Sequence, residues 1–146
     1  MGKKRTFTLS EAETILPVLG GLLWRAVGAK RKLQEIENRF EQIRSHVSLC
    51  GGADLDIRSL ARQRAEADKL IQELKDSVAE IDATGVQVKD LDMGLLDFPC
   101  KLDGRTILLC WRIGEEKISH WHEANEGFAG RKRIDERLRG APRKVQ

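Results

Sequence analysis

The chain of 146 residues contains no tyrosine, and only 5% of its residues are aromatic. So few aromatic side chains argue against a β-sandwich or barrel built from aromatic-rich strands. Three prolines in the whole chain leave little reason to expect disorder away from its ends. The most apolar stretch, residues 15–24, is interrupted by Pro17, Gly20 and Gly21 and is too short to cross a bilayer. We therefore expect no membrane segment.

The chain has only three cysteines, Cys50, Cys100 and Cys110, an odd number without CxxC spacing. This argues against a disulfide framework or a cysteine zinc knuckle and favours a reducing compartment. The basic start of the chain, residues 3–5, is not followed by the apolar run of a signal peptide. We expect a cytoplasmic protein.

Charge is abundant but nearly balanced. Charged residues make up 34% of the chain, with a net charge of +3, and such an excess is typical of long solvated helices. Basic residues concentrate at residues 3–5 and 131–144, where they can contact phosphates. Because no aromatic residues are interleaved with them and no nucleic-acid-binding signature occurs, we expect no nucleic-acid partner. An accessory role on nucleic acid through the basic ends remains the third alternative.

The clearest pattern predicts a long first helix. Thr8 and Glu11 have the spacing of a capping box, and Phe7 precedes the cap. Apolar residues then recur at alternating intervals of three and four, the seam of a coiled-coil-like helix. These residues are Leu19, Leu22, Ala26, Ala29, Leu33, Ile36, Phe40, Ile43 and Val47.

A second helix follows a short glycine-containing connection. Gly51 and Gly52 predict a turn, with Asp54 as the new N-cap, and Gly85 predicts the end of the helix after Thr84. The predicted seam comprises Ile57, Leu60, Ala67, Ile71, Leu74, Val78 and Ile81. The short connection makes the helices antiparallel neighbours. Since the first helix is longer, its overhang at residues 15–27 needs cover from the carboxy-terminal lobe or from another subunit, which suggests a homo-oligomer, with a dimer favoured.

After Gly85 the apolar residues recur at every second position, as in a strand. Val86 and Val88 predict a short strand, and residues 95–98 and 106–112 predict a β-hairpin around the turn dipeptide Asp103-Gly104. A further strand is predicted within residues 118–122. The expected fold class is mainly α (α+β): a long antiparallel helical hairpin followed by a small lobe with a β-hairpin. The predicted parts are a basic tail (1–7), the hairpin (8–85), the lobe (86–135) and a basic tail (136–146).

Two histidines are the first candidates for chemistry. His120 and His122 would project from the same face of a strand. They can share a divalent metal ion such as zinc, with Glu115, Glu123 or Asp97 as the third ligand. The alternative is a structural, hydrogen-bonded pair beside Trp121, and this interpretation is preferred.

Two further features have a functional and a structural interpretation. Cys110 in the central strand would act as a nucleophile if a base such as His122 lay beside it, but a buried small apolar residue is the preferred interpretation. The segment GFAGR, residues 127–131, has glycine amides and Arg131 that would suit an anion. Its spacing matches no phosphate-loop or dinucleotide pattern, so a simple turn is preferred.

Several blocks of the sequence together resemble one family. They are MGLLDFP at 93–99, LCWRIGE at 109–115, WHE at 121–123 and GFAGR at 127–131, with the similar opening FTL and ILP at 7–17. They resemble the bacterial uncharacterised proteins catalogued as domain of unknown function 2203, up to about residue 135. The resemblance implies a small cytoplasmic protein and no established activity. Its members usually carry tyrosine where this chain has His120, which weakens a two-histidine site and leaves His122 as the better single candidate. The residues matching the pattern are Trp111, Arg112, Glu115, Trp121, His122, Glu123 and Arg131.

We therefore expect a protein that self-associates through its helical hairpin and has no assignable reaction. The alternative is a small metal- or anion-binding enzyme with its site in the lobe, where His122, Glu115, Glu123 and Arg131 would act as acid–base or ligand groups.

Overall fold

A computed structural model describes residues 5–135 and Leu138. Helices α1 (Leu9–Cys50) and α2 (Ile57–Ala83) form the predicted hairpin, and five strands follow. The strands are β1 (Gln87–Asp90), β2 (Leu95–Leu102), β3 (Arg105–Arg112), β4 (His120–Glu123) and β5 (Lys132–Arg133), with a 3-10 turn at Phe128–Gly130 before β5. The predicted α+β fold class is confirmed, and the lobe is a five-stranded antiparallel sheet in the order β1-β2-β3-β4-β5. Apart from Leu138, the tail predicted at 136–146 lies outside the described residues.

The predicted capping box starts α1. The Thr8 hydroxyl accepts a hydrogen bond from the Glu11 amide at 3.0 Å, and the Glu11 carboxylate accepts one from the Thr8 amide at 3.0 Å. Phe7, just before the cap, is buried edge-on against Phe98 of β2, with ring centroids 5.8 Å apart. Its amide also donates to the carbonyl oxygen of Pro99 at 2.7 Å. The start of α1 is thus held against the sheet.

The turn between the helices is longer than predicted. Asp56, not Asp54, is the N-cap of α2, and its carboxylate accepts a hydrogen bond from the Ser59 amide at 3.1 Å. The prediction of Asp54 was wrong because both aspartates satisfy the local preference for a cap, and the extra residues are needed for the chain to reverse. The predicted glycine at the end of α2 is confirmed, since Gly85 has a φ of +97°.

The seam of α2 also differs from the prediction, at two positions. Leu70 is buried, whereas the predicted Ile71 is 40% exposed and Ile57 is 67% exposed. Leu70 continues the three–four spacing between Ala67 and Leu74, and Ile71 is the next residue along the helix. The sequence offers two adjacent apolar side chains, and only their packing against α1 decides between them.

The lobe covers the inner side of the α1 overhang. A single hydrophobic cluster contains Leu16, Leu19 and Leu23 of α1 together with Phe98 and Trp111 of the sheet. At Gly20, a β-carbon would lie 3.3 Å from the indole ring of Trp111. A glycine here lets the helix approach the sheet closely. The sequence predicted that either the lobe or another subunit covers the overhang of α1. The lobe covers the inner side of this overhang.

Two residues form the tight turn of the β2–β3 hairpin, as predicted. Asp103 and Gly104 have φ values of +52° and +81°, the left-handed pair of a type I′ turn. The turn sets the register in which Leu102 pairs with Arg105. This register fixes which residues of β2 and β3 lie side by side.

Candidate functional site

Three adjacent strands bring Asp97, Cys110 and His122 together. In the register of the sheet, Asp97 of β2 pairs with Cys110 of β3, and Leu108, two residues before Cys110, pairs with His122 of β4. Paired residues project to the same face, so all three side chains share one face. The alternating residues face the helices and belong to the main hydrophobic cluster: Leu96, Phe98, Leu109, Trp111 and Trp121. The polar cluster therefore lies on the sheet face turned away from that core.

The cluster is sealed from solvent. Asp97 and His122 are 0% exposed and Cys110 is 1% exposed. His122 Nε2 lies 3.1 Å from Asp97 Oδ1, and His122 Nδ1 lies 2.8 Å from the carbonyl oxygen of Glu123. Within the described part of the chain, Asp97 Oδ2 has no hydrogen-bond partner. Burying a carboxylate with one oxygen unpaired is energetically costly, so this arrangement is unusual for a purely structural contact.

Cys110 is not suited to nucleophilic catalysis. Burial, and next the negative charge of Asp97, raise the pKa of its thiol to about 11. A nucleophilic cysteine needs a lowered pKa, because the thiolate is the reactive form. Cys110 is buried, as the preferred interpretation of the sequence requires, although its neighbours include two polar side chains.

Glu115 and Arg131 form a second polar group beside the first. One terminal nitrogen of Arg131 donates to both Glu115 carboxylate oxygens at 2.9 Å and to the carbonyl oxygen of Cys110 at 3.3 Å. The guanidinium carbon lies 4.6 Å from the centre of the Phe128 ring. The amides of Gly130 and Arg131 donate to carbonyl oxygens of the same loop. These contacts occupy one terminal nitrogen of the arginine and two of the amides that an anion at the GFAGR loop would need, whereas the buried Arg131 Nε has no hydrogen-bond partner among the described residues.

The other candidates for metal ligands have partners outside the buried cluster, although His120 lies on the same face of the sheet because it pairs with Cys110. His120 Nδ1 lies 3.1 Å from the Ser119 hydroxyl and 3.9 Å from a Glu115 carboxylate oxygen. Partial burial, and then the positive charge of Arg131, lower the pKa of His120. The Glu123 carboxylate is held by Arg105 at 2.8 and 3.1 Å, and this hydrogen bonding lowers its pKa.

Of the predicted ligands, His122 and Asp97 belong to the buried cluster, whereas His120, Glu115 and Glu123 do not. Cys110, predicted as a buried thiol, is the third member. The grouping of the three depends on strand register, and no local pattern in the sequence specifies it.

A surface of a different kind lies on the outer side of α1. Val18 is 67% exposed and Trp24 is 61% exposed. Gly21 and Gly28 lie on the same side by helical spacing, and a β-carbon added at either position would meet nothing within 4 Å. We call Pro17, Val18, Gly21, Trp24 and Gly28 the outer face of α1. Within the described residues, no helix is both long enough and apolar enough to cross a membrane.

The sequence profile of a family described as "Uncharacterized conserved protein (DUF2203)" matches residues 5–134. Comparisons with curated proteins and with solved structures return no match.

Proposed function

We propose that this chain, which belongs to the DUF2203 family of uncharacterized conserved proteins, is a self-associating protein whose copies join through the outer face of α1. The observation that carries the proposal is the exposure of Trp24 and Val18 beside Gly21 and Gly28, where a β-carbon would meet no atom of the described residues within 4 Å. Large apolar side chains grouped on one surface are typical of interaction sites.

The glycines add to the argument because they destabilise the helix that contains them. Glycine inside a helix costs about 0.5–1 kcal/mol relative to alanine. Gly20 has a reason to be glycine, since the Trp111 ring lies against it, whereas Gly21 and Gly28 face open space. Close approach of a second helix explains both, because a helix surface without side chains lets two backbones come near each other.

The chemistry of this surface favours a second copy of the chain as the partner. In an antiparallel pair with its two-fold axis beside Gly21, Trp24 of each copy lies over Pro17 and Val18 of the other. The acidic start of α1, at Glu11, then lies beside the exposed Lys32 of the second copy. Every contact occurs twice, as a two-fold interface requires.

Replacing the tryptophan tests this proposal. We expect Trp24→Ala to weaken the dimer by about 2 kcal/mol, roughly 30-fold in dissociation constant, as for a central aromatic residue of an interface. Leu49→Ala is the matched control, since Leu49 is 85% exposed at the far end of the hairpin. Analytical ultracentrifugation over a range of concentrations measures both. A wild-type protein that stays monomeric at the highest concentration contradicts the proposal.

A crosslinking experiment tests the geometry. In a Cys50→Ser background, Gly21→Cys places a thiol beside the two-fold axis, where two copies come within disulfide distance. Gly28→Cys is the control, because two such thiols would lie about 20 Å apart along the helices. We expect a crosslinked dimer only from Gly21→Cys. Equal crosslinking by both variants would rule out this arrangement.

The geometry gives less support to acid–base chemistry in the lobe. Glu115 and Glu123 are each bound by an arginine, and His122 has no contact with solvent. We propose a cytoplasmic location because Cys50, Cys100 and Cys110 are all free thiols, as is usual in a reducing compartment.

A further inference from the structure

We infer that Asp97, Cys110 and His122 form a binding site for a divalent, thiol-preferring transition metal ion of the zinc class. This inference is independent of self-association, since the three residues lie in the lobe and the outer face of α1 is a separate surface. Their donor atoms, a carboxylate oxygen, a thiol sulfur and an imidazole nitrogen, all lie within 4.8 Å of one another.

The donor types and their spacing suit zinc. Zinc takes cysteine sulfur at about 2.3 Å, histidine nitrogen at about 2.0–2.1 Å and carboxylate oxygen at about 2.0–2.2 Å. Around one tetrahedral ion, such donors lie about 3.3–3.6 Å from one another. Shifts of about an ångström in side-chain position therefore suffice to bring the three atoms into one coordination sphere.

The hydrogen bonding of His122 orients it as a ligand. Because the carbonyl oxygen of Glu123 can only accept, the hydrogen of the neutral imidazole is on Nδ1, which donates to that oxygen. A metal-bound histidine usually has its other nitrogen held in this way. Nε2 is then a bare lone pair, and it faces Asp97 Oδ1 at 3.1 Å.

The Nε2 lone pair and the Asp97 carboxylate oxygen are both hydrogen-bond acceptors, and they repel each other at 3.1 Å. A proton or a metal cation must therefore lie between them. The second oxygen of Asp97 favours the metal, because within the described residues it too lacks a hydrogen-bond partner despite complete burial. A cation among the three side chains would satisfy both carboxylate oxygens and the imidazole at once.

Binding releases two protons. The Cys110 thiol becomes a thiolate bound to the ion and its proton passes to solvent, and the proton that lies between His122 Nε2 and Asp97 in the metal-free protein passes to solvent as well. The ion would link β2, β3 and β4, the three central strands of the sheet. Both oxygens of Asp97 together with Cys110 and His122 supply four donor atoms, and complete burial of these ligands leaves no path for a substrate, so the expected role is to stabilise the lobe.

Cobalt(II) provides a spectroscopic test on the full-length protein after metal removal by a chelator. We expect one equivalent of cobalt to bind, with a thiolate-to-cobalt charge-transfer band in the near ultraviolet, and zinc to displace the cobalt and raise the melting temperature. The double variant Cys50→Ser/Cys100→Ala leaves Cys110 as the sole cysteine and should keep the band. Cys110→Ala should lose it.

Cys100→Ala is the matched control for Cys110→Ala, because Cys100 is an equally buried thiol on the helix-facing side of the sheet. If Cys110→Ala does not fold, the double variant decides, since Cys110 alone can give its charge-transfer band. Failure of cobalt and zinc to bind the wild-type protein, or loss of the band in the double variant, would overturn the inference. Either result would indicate that a proton, and not a metal ion, lies between His122 Nε2 and Asp97.

Discussion

His122 Nε2 and Asp97 Oδ1 lie 3.1 Å apart across two strand pairings, although the residues are 25 positions apart in the chain. Both side chains are fully buried. Each polar group in this contact therefore depends on the other, because neither can turn to water.

Two replacements of Asp97 distinguish the loss of its charge from the loss of its hydrogen bond with His122. In chelator-treated protein, we expect Asp97→Asn to remain close to wild type, since the new amide donates to the Nε2 lone pair. Asp97→Ala leaves that nitrogen unpaired and should lower the free energy of unfolding by about 1–3 kcal/mol. Urea denaturation measures both variants. Equal losses in the two would show that His122 does not depend on this partner.

The turn before β2 contains a glycine that no other residue should replace. Gly94 has a φ of +72°, and a β-carbon there would lie 3.0–3.1 Å from Ile113. Gly104→Ala is the control, because Gly104 also has a positive φ, +81°, but faces open space. We expect about 1–2 kcal/mol of destabilisation for Gly104→Ala and about 1–3 kcal/mol more for Gly94→Ala from overpacking. Similar unfolding midpoints for the two variants would contradict the contact with Ile113.

The three thiols should differ sharply in reactivity. Cys50 is exposed, whereas Cys100 and Cys110 are buried, and the pKa of each buried thiol is raised to about 11, chiefly by burial. A thiol reagent at pH 8 should therefore modify one cysteine rapidly and the other two only after unfolding. Mass spectrometry of the alkylated protein identifies the site. Rapid native labelling of Cys100 or Cys110 would refute the buried sheet environment.

The pH dependence of stability should include a contribution from Glu126. Its hydrogen bond with Lys132, and next the Glu123 amide, lower its pKa in the folded protein. The folded state therefore favours the ionised carboxylate, and this stabilisation is present above the ordinary pKa of 4.5 and is lost as the pH falls through the lower folded value. Wild type should have a higher melting temperature than Glu126→Gln at pH 7, and the difference should shrink below about pH 4.5.

The exposed Glu116 provides the control for this measurement. Glu116→Gln should leave the acid dependence of the melting temperature close to that of wild type. A difference between wild type and Glu126→Gln that stays constant down to pH 3 would contradict the assigned pKa direction.

Local signals in the sequence were sufficient for the hairpin. The capping box at Thr8 and Glu11, the glycine after Thr84 and the turn at Asp103 and Gly104 are short-range features. Each involves residues within four positions of one another, so its physical cause lies within the segment itself. Where two nearby residues met the same local preference, as with Asp54 and Asp56 or Leu70 and Ile71, the prediction from the sequence was wrong.

The buried cluster required the tertiary structure. Asp97, Cys110 and His122 are 13 and 12 positions apart in succession, and a shift of one residue in either strand pairing would separate them. The same holds for the cover of α1, which depends on the sheet packing against one side of the helix. The sequence by itself determined the two helices, the N-cap of α1, the glycine that ends α2 and the turn of the β2–β3 hairpin, because these depend on interactions between near neighbours. Only the tertiary structure decided which polar side chains share a buried site and which side of α1 is left for a partner, because strand register and packing join residues that no local pattern connects.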